Sequence, residues 1–330
     1  MNINPLQAPE DEASIIKHWK YTDKVYISCI CITYNQENYI KDTINGMLAQ
    51  VTDYRFEIII HDDVSTDNTR LILLEYKDKY PNIIKLILQT ENQYQKGKKI
   101  IPLAVSSSNG EYIAICEGDD YWLKKYKIDT QIKTLEVNKN INLCVHNSYS
   151  LNCENNSLTN LFKFQTKKNQ IVDSLLIYTT PGQFSATASL FFRKEIFLQY
   201  LPIYNKFPVL DFFLETILGN NGVFYIKEKM SLYRYSSVGS WTNSELKNIK
   251  KSIDRNEKML YALDLLNKSM NNTLTKEIEY RKSEVYKDLA RLNLNLKNYK
   301  NAYSCIKRIK KMKVKNYIKI FLSYINSVLR

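Results

Sequence analysis

Along residues 25–122 the apolar and polar positions follow one repeating order: a short apolar run, a polar break, then apolar residues at helical spacing. The run at 25–32, Val-Tyr-Ile-Ser-Cys-Ile-Cys-Ile, is rich in β-branched side chains and too short for a typical helix, so it predicts a buried strand. After the break Thr33-Tyr-Asn-Gln-Glu37, residues Ile40, Ile44, Met47 and Leu48 recur on one helical face. The order repeats with a strand at 56–60, a polar loop at 61–69 and a helix at 70–80 that stops before Pro81, with Asp67 or Ser65 placed to cap it. A third strand at 83–88, a short helix at 102–108 and a turn at Asn109-Gly110 lead to a fourth strand at 111–116. That strand ends in Glu117-Gly-Asp-Asp-Tyr-Trp122.

Strands alternating with helices predict an α/β fold, a mostly parallel sheet flanked by helices, with its ligand site beyond the carboxyl ends of the strands. The polar loops after strands one, two and four all open toward that edge, so one shared site is expected. Past Ser148 the pattern weakens to an Asn-rich loop at 152–170, a strand at 187–192, a helix at 210–218 and an apolar run at 222–226. From Ser244 onward the chain is helical in pattern and almost free of Gly and Pro, with 290–310 resembling a single tetratricopeptide-type helical pair. The expected organisation is a polar arm (1–23), a main domain (24–243) divided near residue 150, and a basic helical region (244–330).

Composition narrows the class. No apolar run approaches the about 18 residues needed to span a bilayer, and the N-terminal residues lack the order of a secretion signal, so a cytoplasmic protein with reduced cysteines is expected. Six cysteines without a CxxC pair and three histidines argue against structural zinc; Cys29, Cys31 and Cys116 read as core. The net charge of +13 is local: residues 289–330 carry 11 Lys and Arg and no acid, which leaves 36 basic against 34 acidic residues elsewhere. Such a distribution points to a local docking element and not to a nucleic-acid-binding body. Ile318, Phe321, Leu322, Ile325, Val328 and Leu329 recur at helical spacing beside the basic run 307–319, a pattern suited to an anionic membrane surface or to packing on another helix.

The chemistry concentrates at the strand ends. Glu117, Asp119 and Asp120 repel one another, a cost usually offset by a cation such as Mg²⁺ or Mn²⁺ that favours oxygen ligands. Asp62 and Asp63 form a second acidic pair at the same edge, and Tyr34 offers an aromatic face for a base beside the amide of Asn35. Together these describe a nucleoside-diphosphate site.

The segments 25–35, 57–69 and 110–122 resemble the three N-terminal signatures of family 2 glycosyltransferases with the GT-A fold: the strand ending in Thr-Tyr-Asn-x-Glu, the Glu-Ile-Ile-Ile-x-Asp-Asp-x-Ser-Thr-Asp-Asn-Thr loop, and the Glu-Gly-Asp-Asp-Tyr-Trp motif of DxD type. The resemblance covers 24–150 as the nucleotide-sugar half and, more weakly, 151–243 as the acceptor half. It implies that Tyr34 packs on the base, Asp63 reads it, Asp119 lies near ribose and metal, Asp120 ligates the metal, and Thr33, Asn35, Glu37 and Asp62 line the same pocket. It implies inverting transfer from a nucleotide-diphospho-sugar, UDP by default, to a hydroxyl of a bacterial surface glycan or a lipid-linked acceptor. Asp211 is then the candidate base, with Glu215 one turn on as the fallback. Arg234 resembles a diphosphate contact, and Glu117, Trp122 and Trp241 border the sugar and acceptor pocket. Ser236 stands where relatives often carry a His, and Ile32 where they carry a Pro.

Two other classes share parts of this pattern. A nucleotidyltransferase also uses strand-end carboxylates but normally shows a Gly-rich triphosphate loop near the first strand, and residues 25–35 contain no glycine. A degenerate, non-catalytic module acting through its basic tail is the other reading; intact acidic pairs and the absence of a recognised nucleic-acid motif argue against it.

Overall fold

The computed structural model describes residues 3–159, 161–180, 182–237, 248–310, 320, 322, 324 and 325. The alternation read from the sequence is present as β1 (Ile27–Thr33), α2 (Ile40–Leu48), β2 (Phe56–Asp62), α3 (Thr69–Lys79), β3 (Ile84–Leu88), α4 (Ile100–Ser106) and β4 (Tyr112–Ile115), preceded by a short helix α1 (Ala13–Ile16). Next come β5 (Tyr121–Trp122), α5 (Lys127–Val137), β6 (Leu143–Asn152), β7 (Ser157–Thr159), β8 (Gln170–Val172) and α6 (Leu175–Thr179). The rest comprises β9 (Phe191–Arg193), α7 (Lys194–Gln199), α8 (Leu201–Tyr204), α9 (Asp211–Leu218), β10 (Val223–Tyr235) and the helices α10 (Ile249–Ser269), α11 (Thr275–Asn295) and α12 (Tyr299–Lys307).

The strands make one mixed sheet in the order β3-β2-β1-β4-β9-β6-β10-β5, with β7 on β6 and β8 on β10. β1 pairs in parallel with β2 and β4, and β10 with β6, whereas β9 runs antiparallel to both β4 and β6, and β5 antiparallel to β10. β1 and β2 lie inside the sheet, which explains their nearly unbroken apolar runs. Ile27, Cys29, Cys31, Ile58 and Ile60 share one buried cluster with Ile40, Ile44, Met47 and Leu48 of α2 and Ile128, Ile132 and Leu135 of α5.

Three expectations change. Residues 3–21 are packed onto the body: Ile15 is buried, the Trp19 ring meets Phe56 edge-on at 5.5 Å, Glu12 accepts from the Asn82 and Ile83 amides, and the Tyr121 hydroxyl donates to the Ile3 carbonyl. The segment is polar because its outer face is wet, while Ile15 and Trp19, four residues apart, supply the inner one. The strand expected at 187–192 is a 3-10 turn (Thr187–Ser189) followed by β9. β10 is far longer than the run 222–226, because register shifts between Ile226 and Ser231 let it continue through the polar stretch Lys227-Glu228-Lys229.

The chain divides into two compact units, one holding residues up to 205 and from 214 through β10, the other 206–213 and the helices from α10 onward. The division runs through α9, with Asp211 on the second unit and Glu215 on the first. In the second unit Leu263, Leu266, Leu289 and Ala290 are buried on α10 and α11, and Ala302 and Ile306 on α12. No helix among the described residues is long and apolar enough to cross a membrane.

One core position was not foreseen. Lys127 is fully buried, its ammonium donating to Gln131 Oε1 at 2.8 Å and lying 4.1 Å from the centre of the Trp122 ring. Burial lowers its pKa to about 8. Between that value and the ordinary 10.5 the unfolded chain binds the proton and the folded chain does not, so this group makes stability rise with pH across that window. Wild type is therefore expected to gain up to about 1.4 kcal/mol per pH unit from this group relative to Lys127→Met, checked by denaturant unfolding of both proteins at pH 7.5 and 9.5. An identical change in the two proteins would refute the assignment.

Candidate active site

Three loops leave the carboxyl ends of β1, β2 and β4 and are laced together. The Asp63 amide donates to the Thr33 carbonyl at 3.1 Å and the Gly118 amide to the Ile32 carbonyl at 3.0 Å. Asn35 sits in the left-handed region at φ 53°, a conformation Asn tolerates better than most residues. Its amide donates to Ser65 Oγ at 2.9 Å and its side-chain oxygen accepts from the Thr66 amide at 2.7 Å. Glu37 accepts from the backbone and side chain of Asn68 at 2.9 and 2.7 Å, and its own amide donates to Asp67. Asp67 also accepts from the Thr69 amide at 2.9 Å, satisfying a free donor of the first turn of α3. Asn35 and Glu37 thus fasten the first loop to the second, and Tyr34 between them is left 42% exposed. Thr33 is buried, its hydroxyl donating to Gln36 Oε1 at 2.8 Å. Gly118 closes the third side, since a Cβ there would lie 2.2 Å from Gln36 Oε1 and 2.9 Å from Thr33 Oγ1.

The acidic pair at the end of β2 is buried at both positions, and its two members differ in their partners. Asp62 is fully buried and ion-paired with Arg70, so its carboxylate organises the loop and does not face an opening. Asp63 accepts from the Gln93 and Tyr94 amides at 2.7 and 3.0 Å, one on each oxygen, while Asn92 donates to its carbonyl. The loop 92–94 therefore belongs to the site. Its sequence signal was only a polar stretch after the third strand.

The second acidic cluster splits. Asp120, expected as the metal ligand, is fully buried: Oδ1 accepts from the Arg234 amide at 2.9 Å and Oδ2 has no partner among the described residues. Burial, with Asp119 and Glu117 alongside, raises its pKa well above the carboxylate range. Asp119 and Glu117 are half-buried, and Asp119 accepts from Ser237 Oγ at 2.7 Å. Burial raises the Asp119 pKa as well. The carboxylates that reach the surface of this turn are thus Glu117 and Asp119. Among the described residues no group of three His, Cys, Asp or Glu could hold a metal ion. The donor set still suits a hard cation that takes one or two carboxylates and completes its shell with water and substrate phosphate, as Mg²⁺ does.

Other expected residues are placed as follows. Trp122 is part of the core, fully buried with its indole donating to the Ala188 carbonyl at 3.0 Å, so it does not wall a pocket. Glu215 is 1% exposed and accepts from the Ser185 amide and hydroxyl, both at 2.8 Å, which suits an anchor of the 184–185 segment and not a proton acceptor for a ligand. Asp211 opens α9 and is half-buried. Arg234 sits beneath the acidic turn, its guanidinium donating to the Asp119 carbonyl at 2.9 Å and pairing with Asp42. Trp241 and the tail residues Ile318, Phe321, Val328 and Leu329 lie outside the described residues.

Residues 28–197, just over half of the chain, match the family described as Glycosyl transferase family 2. The chain belongs to this family. An uncharacterized protein of Mycobacterium tuberculosis is 31% identical over 218 residues, covering 65% of this chain and 60% of its own length. The Escherichia coli UDP-Glc:alpha-D-GlcNAc-diphosphoundecaprenol beta-1,3-glucosyltransferase WfgD is 34% identical over 141 residues, 42% of this chain and 51% of that protein. The chain thus matches only part of the length of these relatives. Among solved structures, S. aureus TarS 1–349 in complex with UDP-GlcNAc superposes with a TM-score of 0.55 at 16% identity, over 91% of this chain and 92% of that one. That likeness shows the fold, which is the GT-A arrangement of a mixed sheet flanked by helices. As a family 2 member the chain carries its acidic pairs after β2 and β4 of that fold.

Proposed function

We propose that the protein transfers a sugar, with inversion, from a nucleotide-diphospho-sugar to a hydroxyl of a bacterial glycan. The observation that carries this reading is the convergence of exposed Tyr34, hydrogen-bonded Asp63 and the half-buried pair Glu117 and Asp119 on three interlocked loops at the carboxyl edge of one sheet. Tyr34 stacks on the base, Asp63 accepts from a base N–H, and Glu117 and Asp119 hold a divalent cation together with the diphosphate. A divalent cation held by Glu117 and Asp119 would supply neutralisation of the charge on the departing diphosphate. Asp211 takes the proton of the acceptor hydroxyl as it attacks the anomeric carbon. UDP is the favoured nucleotide, supported by the UDP-sugars named for WfgD and TarS.

The test is calorimetric titration with UDP, GDP and dTDP, each with Mn²⁺ and again with EDTA. One nucleotide is expected to bind with Mn²⁺ and at least tenfold more weakly in EDTA; no binding of any of them to folded protein would overturn the reading.

The acceptor is proposed to be lipid-linked, presented at an anionic membrane surface. No acid follows Asp288 in the sequence, and Lys297, Lys300, Lys307, Arg308 and Lys310 are exposed beside the exposed apolar side chains Leu296, Tyr303 and Leu322. Each such base near an anionic leaflet contributes about 1 kcal/mol of attraction. The protein is expected to co-sediment with phosphatidylglycerol vesicles at low salt and to be released by Lys300→Glu with Lys307→Glu. Equal binding to phosphatidylcholine vesicles would refute the electrostatic account.

A further inference from the structure

The Asp119 and Asp120 backbone carbonyls of the acidic turn are held by side chains from outside the motif. Thr43 Oγ1 donates to the Asp120 carbonyl at 2.6 Å and lies 3.4 Å from that of Glu117. Arg234 Nη1 donates to the Asp119 carbonyl at 2.9 Å, and the Arg234 amide to Asp120 Oδ1 at 2.9 Å. The guanidinium is itself fixed on its other edge by the Asp42 carboxylate and between two rings, 5.0 Å from the centre of Tyr39 and 4.5 Å from that of Tyr121. The Arg234 side chain is only 10% exposed. Asp42 and Thr43 are consecutive on α2, so one helix turn grips both sides of the acidic turn, directly through Thr43 and through Arg234 for Asp42. That helix cannot shift freely, because a Cβ at its Gly46 would already lie 3.1 Å from the Trp122 amide, two residues beyond the turn.

We infer that Asp42 is a positioning residue for the acidic turn: through Arg234 it sets the direction in which the Asp119 carboxylate is presented to cation and diphosphate. The inference rests on the transferase reading above. A fork-shaped guanidinium is needed, because it must donate to a carboxylate on one edge and to a carbonyl on the other. Arg234 then acts on the protein's own backbone, and the diphosphate contact expected of it is replaced by this role. Outer groups that orient ligating carboxylates typically change metal affinity by about 10–100-fold when removed.

The experiment compares wild type, Asp42→Asn and Arg234→Lys by calorimetry with UDP, in Mn²⁺ and in EDTA, alongside thermal unfolding. Asp42→Asn keeps the shape and removes the charge, and Arg234→Lys keeps the charge and removes the fork. Both variants are expected to lose about tenfold or more of the Mn²⁺-dependent UDP affinity while the EDTA affinity stays at the wild-type value. Transfer kinetics should show a fall in kcat restored in part by raised Mn²⁺. Variants that bind UDP and Mn²⁺ as wild type does overturn the inference and leave the transferase reading standing. Equal loss in Mn²⁺ and EDTA overturns it too, since that marks general damage to the pocket. Wild type that binds no nucleotide overturns both.

Discussion

Asp119→Asn is expected, on the proposed transferase reading, to lower sugar transfer by about 10³-fold or more, because charge stabilisation at the leaving group is usually the largest single contribution to such a reaction. The variant should remain folded. Asp119 is half-buried and its Oδ2 already accepts from the Ser237 hydroxyl at 2.7 Å, an interaction a neutral amide oxygen can keep. The neighbouring substitution is the control. Asp120 is fully buried, with one oxygen on the Arg234 amide at 2.9 Å, so Asp120→Ala should cost about 1–3 kcal/mol of stability by leaving that donor unpaired. Steady-state kinetics with saturating donor, read beside thermal unfolding of both variants, separate the two. If Asp120→Ala, and not Asp119→Asn, abolished Mn²⁺-dependent UDP binding in a folded protein, the assignment of the half-buried carboxylates would be wrong.

The second large effect is expected at Asp211. Removing a general base typically costs about 10²–10⁴ in rate, so Asp211→Asn should lose most of kcat while UDP affinity stays within about twofold of wild type. Glu215→Gln should behave differently, lowering thermal stability through its three donors at residues 184 and 185. Unchanged kcat in Asp211→Asn would move the base elsewhere in the chain.

Much of the site's composition was readable along the chain, since the chemistry lies on three short loops that each follow an apolar run. The loops after β1, β2 and β4 had to converge once the strands paired in parallel, because parallel strands bring their carboxyl ends to one edge. The order of residues could not say which member of an adjacent pair faces the opening. Side chains alternate across a strand, so Asp62 and Asp63 had to diverge, and Asp119 and Asp120 differ in the same sense. What each carboxylate meets depends on the surrounding fold: Arg70 for Asp62, the Gln93 and Tyr94 amides for the also buried Asp63, and the Arg234 amide for Asp120. Trp122 was a candidate as the aromatic closing the acidic motif and Glu215 as the acid one helical turn after Asp211, and both are core groups, because the Ala188 carbonyl and the Ser185 amide and hydroxyl stand where their polar atoms end.

Local periodicity and loop chemistry therefore sufficed for the α/β class and the family 2 resemblance, since each rests on short segments that are legible one at a time. Asp42 and Arg234 lie 192 positions apart. Nothing in either neighbourhood marks them as partners. Their pairing exists because β10, inserted between β6 and β5, delivers Arg234 under the acidic turn while α2, packed on β5 through Gly46, presents Asp42 from the other side. Long-range pairing of that kind is set by how sheet and helix pack, and packing is a property of the folded chain.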